Sequence, residues 1–165
     1  MTTPATVVEI PTAELAAVAW LKTIPAIGHG HAATRLPRDT ESWADTGFVV
    51  VEADVAGPQN PHVPWHESVL QLACYGANPD RLTPNWARSG RLAQLVIEAS
   101  LQDWALNELL PVRTGGPRVR ITGAWPQTTP RRDTEDPSDY AVHRLDLALH
   151  WAQVDTPNLI GEPES

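Results

Sequence analysis

Ala141-Val142-His143-Arg144-Leu145-Asp146-Leu147-Ala148-Leu149-His150-Trp151 is the stretch on which the fold turns. Leu145, Leu147, Leu149 and Trp151 alternate with Arg144, Asp146, Ala148 and His150. A period of two belongs to a strand, whose successive side chains point to opposite faces. One apolar face beside one mixed face describes a strand of an antiparallel sheet, with a core on one side and water on the other.

The same pattern recurs upstream. Val119, Ile121, Gly123 and Trp125 alternate with Arg118, Arg120, Thr122 and Ala124, and a polar loop over residues 126–138 joins the two strands. Gly115-Gly116-Pro117 breaks the chain before them. Further back, Val49, Val51, Ala53 and Val55 alternate with Phe48, Val50, Glu52 and Asp54. A strand over residues 67–75 places Leu70, Leu72 and Cys74 on one face. These two form an expected antiparallel pair across a loop over residues 57–64, whose three prolines cannot serve a ladder. Residues 32–36 read as a short strand closed by Pro37.

Two helices are expected. Thr12 is a good N-cap, Glu14 suits the positive helix end, and Pro25 marks a stop. Leu15, Val18, Ala19 and Lys22 share one face of that helix, with Trp20, Leu21 and Ile24 widening the stripe. Over residues 87–104, Leu92, Leu95, Val96 and Ala99 fall at i, i+3, i+4 and i+7 and make a core face. An apolar patch of Leu106, Leu109 and Leu110 then ends at Pro111. Strands paired around an embedded helix give an α+β fold: one mostly antiparallel or mixed sheet of about four to five strands packed with two main helices. Leu70, Leu72, Leu92, Leu95, Val96, Leu145 and Leu147 should share its core. Residues 1–155 fit one domain, and residues 156–165, with two Pro and two Glu, read as a flexible tail.

Composition limits the function. Net charge is −8 and Lys22 is the single lysine, so gripping phosphates over a broad surface is disfavoured. Met1 to Glu9 lacks a signal-peptide pattern, and no apolar run of about 18 residues offers a membrane span. The chain reads as one made in the cytosol. Cys74, the single cysteine, reads as a small core residue. Phosphate-loop, dinucleotide, nucleophile-elbow and zincin motifs are absent from the sequence. His29 and His31 flank Gly30, but no third ligand stands at metal spacing, so no metal is expected. Asp133, Glu135, Asp136 and Asp139 follow Arg131 and Arg132 in a loop, which reads as a solvated or partner-facing charge run rather than acid–base machinery.

Seven Trp stand out against one Phe and two Tyr. Trp20, Trp104, Trp125 and Trp151 lie on apolar faces and are expected in the core. Trp43, Trp65 and Trp86 fall in loops, where a Trp either anchors an interface or tucks onto the core. With Arg131, Arg132, Asp133, Glu135 and Asp136 they form the candidate interface set.

Glu14-Leu15-Ala16-Ala17-Val18-Ala19-Trp20-Leu21-Lys22 with Ile24-Pro25 resembles the start of tail terminator proteins of long-tailed phages of actinobacteria. Ala33-Thr34-Arg35-Leu36-Pro37, Thr46-Gly47-Phe48-Val49-Val50-Val51, the stretch ending Ala73-Cys74-Tyr75-Gly76, Trp86 and Arg91-Leu92-Ala93-Gln94-Leu95 follow in the same order. The likeness spans about residues 13–105, and beyond them it rests on strand order. It implies the lambda-like tail terminator fold and a virion structural protein without cofactor or active site. It implies a hexameric ring that caps the tail tube, stops its polymerisation and meets the head completion proteins, with DNA passing through unbound. The expected location is the head–tail junction of the virion, after assembly in the host cytoplasm. A head–tail connector or stopper of the same virion is the alternative.

Overall fold

The computed structural model describes residues 11–28, 30–54, 65–81, 83–113 and 115–154. Elements run in the order α1 (Ala13–Leu21), β1 (Ala32–Ala33), β2 (Phe48–Asp54), β3 (Trp65–Gly76), α2 (Trp86–Leu101), β4 (Leu109–Pro111), β5 (Arg118–Pro126), β6 (Arg131–Arg132) and β7 (Ala141–Val154).

Both helices start where a side chain satisfies their free N–H groups. Thr12 Oγ1 accepts from Leu15 N at 3.3 Å, and Asn85 Oδ1 accepts from Arg88 N at 3.0 Å. The expected face of α1 needs correction: Leu15 is exposed, whereas Ala16, Ala17, Trp20 and Leu21 are fully buried. Its alanines let the backbone approach the sheet closely while Trp20 and Leu21 fill the core. The second helix ends at Leu101, three residues before the expected end at Trp104. Asp103, Ala105 and Asn107 adopt left-handed backbone (φ 54°, 55° and 65°), which no α-helix continues through.

The sheet order is β1-β2-β3-β7-β5-β4, with β6 pairing β7 beyond β5. Every pairing is antiparallel except β1 with β2. The α+β reading stands, but the sheet has seven strands among the described residues rather than four to five. The additions are β4 and β6, at three and two residues too short to carry a period. The expected pairing of β2 with β3 is present, with Val51 opposite Leu72 and a bulge between Val51 and Ala53. The long strand β7 lies beside β3, where Leu70 faces Leu147 and Leu72 faces Leu145. All four leucines are fully buried under both helices, together with Leu92, Val96, Ile121 and Trp151, while Leu95 packs half-buried at the edge. Cys74 lies in the same core, and burial pushes its thiol up to about 12.

A second core covers the opposite face at one end of the sheet. Phe48, Val50, Ala73, Tyr75 and Val142 pack there beneath Trp43 and Ala44. Trp43 meets Tyr140 edge-on at 5.1 Å and Phe48 at 6.3 Å. Trp43 is 1% exposed, so it offers no surface to a partner, and the core reading of this loop Trp holds over the interface reading. Val55 and the loop 57–64 lie outside the described residues, as do His29 and residues 156–165.

Candidate assembly interface

The loop after β5 was expected to project. It instead lies along β7. Gln127 N donates to Asp146 O at 2.8 Å, Asp146 N to Thr128 Oγ1 at 2.9 Å, and Asp133 N to Val142 O at 2.9 Å. Arg131 and Arg132 form β6 against Arg144 and His143. The cause is Arg144, whose role the sequence reading missed. Its guanidinium reaches Asp133 at 2.5 Å, Asp136 at 2.9 Å and also Glu52. One planar fork thus ties β2, the loop and β7 together. Burial pulls the Arg144 pKa down, but Glu52 and Asp133 outweigh it and hold it above its ordinary value. The Arg144 hydrogen bond in turn holds the Asp133 carboxyl below the usual range. Two of the candidate acids, Asp133 and Asp136, therefore serve the subunit's own structure, while Glu135, Arg131 and Arg132 are exposed.

Arg144→Met should lower stability by about 1–3 kcal/mol, because Asp136, with a side chain 6% exposed, is left without its cation. Water reaches the other partners and trims the larger cost of a fully buried pair. The sign with pH follows from Asp133. Its folded-state pKa is depressed, so its contribution is present above the ordinary value of 3.8 and is lost as pH falls through the folded value. Urea titrations should show parent and variant far apart at neutral pH and converging below about pH 4. An equal gap at both pH values would contradict the assignment.

Trp86 is the first residue of α2 rather than a loop residue, and it is half-buried. Arg132 lies over its ring at 5.1 Å, and His143 meets it edge-on at 5.8 Å. Beside it a depression of about 370 Å³ is lined by Trp86, Tyr140, Asp133, Asp136 and Asp139. His143 Nδ1 pairs with Ser89 Oγ at 2.5 Å. Burial first, then the Arg132 charge, lowers the His143 pKa. A Ser–His pair invites a nucleophile reading, but Ser89 is fully buried and nothing can reach it. Among the described residues, no group of three or more His, Cys, Asp or Glu is placed to hold a metal, and no helix is long and apolar enough to cross a membrane.

The most exposed aromatic is Trp65, at 64%. It begins β3 on the face away from the helices. Across the sheet it aligns with Ala152, then Arg120, then Leu109. Register partners share a face, so these four form one row. Trp125 lies on the same face, opposite Ala148 and against His150 at 4.6 Å. Trp125 and Trp104 were expected in the core but are both 38% exposed, while Trp20 and Trp151 are buried. The bulge between Ile121 and Gly123 reverses the alternation and turns Trp125 outward. A sheet face with two Trp and Leu109 in solvent is a site for contact with another protein surface.

No protein family and no curated protein matches the chain. Among solved structures, a chain of "Virion of native gene transfer agent (GTA) particle" is similar at 15% identity, with a TM-score of 0.40, covering 88% of this chain and 87% of that one. Another solved chain is similar at 16% identity with a TM-score of 0.33, covering 87% of this chain and 92% of that one. With TM-scores under 0.5, neither likeness bears on function.

Proposed function

We propose that the chain is a non-enzymatic virion structural protein, a phage tail terminator whose six copies form a closed ring on the last ring of the tail tube. The sequence resemblance over residues 13–105 is where the reading starts. The observation that carries it is the sheet face bearing Trp65, Trp125 and Leu109, which one subunit leaves in water. A closed ring requires each subunit to present two different, matching patches. The net charge of −8 suits a lumen that repels phosphates and lets DNA slide. Tail-tube protein is the partner on one side and a head completion protein on the other.

Electron microscopy of tail-tube protein polymerised with and without this chain tests the role. Capped tubes that stop growing support a terminator. Rings that bind finished tails without limiting tube growth favour the connector or stopper. The exposed arginines of β6 give a second test. Reversing Arg131 and Arg132 to Glu should change stability by no more than about 1 kcal/mol, since it removes only a surface cation–π contact with Trp86. It should weaken ring formation or tail attachment, because charge complementarity sets register between subunits. Unchanged capping by this variant would leave β6 as a solvated edge.

A further inference from the structure

The helical side of the subunit carries an apolar crevice that the core does not use. The turn after α1 (Ile24, Pro25, Ala26) and the last turns of α2 (Leu95, Ala99) wall it, and Trp104 closes one end. Its volume is about 220 Å³, room for one large side chain. Trp104 is fixed there: its Nε1 donates to Thr23 O at 3.2 Å, and its own carbonyl accepts from Trp20 Nε1 at 2.9 Å. Both helices cover the face of the sheet that holds the main core. The Trp65 row lies on the other face. The subunit therefore has a knob on one side and a hole on the opposite side.

The charges around the two are of opposite sign. Glu98, Asp103 and Glu108 surround Trp104, with Arg91 3.4 Å from Glu98 as a partial offset. Arg120 stands within the Trp65 row, and Arg118, two residues before it, shares its face. The nearby acid on that face, Glu67, is 3.7 Å from His150. An acid-rimmed apolar hole thus complements a base-rimmed aromatic knob.

We propose that a second copy of this chain occupies the crevice, its Trp65 seated between Pro25, Ala26 and Leu95 and its Arg120 against the acidic rim. The pairing rests on the ring reading above and deepens it by naming the two surfaces. It joins unlike patches, so each copy still offers a free knob and a free hole, and repetition closes a ring.

Two variants test it. Trp65→Glu removes the knob and sets an acid against acids; Ala26→Arg fills the hole and sets a base against Arg120. Both positions are exposed in the single subunit, so both variants should melt within a few degrees of the parent. Sedimentation should show a ring for the parent and monomers for each variant alone. An equimolar mixture should give a dimer and nothing larger, because the one intact knob meets the one intact hole and growth stops. Variants that still form rings, or a mixture that stays monomeric, overturn the pairing while the parent's ring leaves the proposed function standing. A parent that is monomeric at every concentration, with and without tail-tube protein, overturns the pairing together with the ring.

Discussion

Leu147→Ala is expected to lower the unfolding free energy by about 2–5 kcal/mol. Leu147 is fully buried midway along β7, the strand with neighbours on both edges. It faces Leu70 on β3 and packs beneath both helices with Leu72, Leu145 and Val96. Truncation removes the transfer free energy of the lost carbons and leaves a void that two long, fully hydrogen-bonded strands cannot collapse to fill. The cost should therefore lie in the upper half of the range. Urea unfolding with an unchanged slope and a lower midpoint is the expected result. A loss below about 1 kcal/mol would place Leu147 outside the core.

Gly76→Ala is expected to be at least as damaging, for a reason outside the hydrophobic core. Gly76 ends β3 where the chain passes under the start of α2. A Cβ there would run into the backbone oxygen of Asn85 and lie 2.7 Å from the backbone nitrogen of Ser89. Asn85 N also donates to Gly76 O at 3.1 Å, so strand and helix cap are fastened together. Neither clashing atom belongs to a flexible side chain, so relief requires moving the helix. The expected loss is at or above the top of the about 1–3 kcal/mol usual for overpacking, read as a lower urea midpoint. It should also disturb Ser89 and His143, whose ring signals in NMR report on the same helix turn. A variant as stable as the parent would mean that α2 starts elsewhere.

Much of the architecture was legible because the periodic elements are long. β7 and β3 run for 14 and 12 residues, and their alternation survives any single exception. Thr12 announced the first helix through a local rule. What the sequence hid was set by contacts between distant residues. Arg144 reads as a polar residue on a half-wet strand, yet its fork gathers Glu52 from β2 and two aspartates from the loop. Nothing local distinguishes it from Arg118 or Arg120. The outward turn of Trp125 depends on one bulge opposite β7, which the alternating pattern does not reveal. Trp43 is buried because Phe48, Tyr75 and Tyr140 converge on it from three segments. Of the eight candidate interface residues, Trp43 is buried, Asp133 and Asp136 are held by Arg144, and Trp86 is half-buried beneath Arg132. Trp65, Arg131, Arg132 and Glu135 remain on the surface.

Assembly is the claim on which the functional account stands, and native mass spectrometry of the purified chain reads it most directly. Spectra should be taken over a range of concentrations, alone and with tail-tube protein. The account predicts a closed species at six times the 18.0 kDa subunit, present alone or appearing when tube protein is added, with no ladder of larger open polymers. A chain that remains at the mass of one subunit under all these conditions would contradict it.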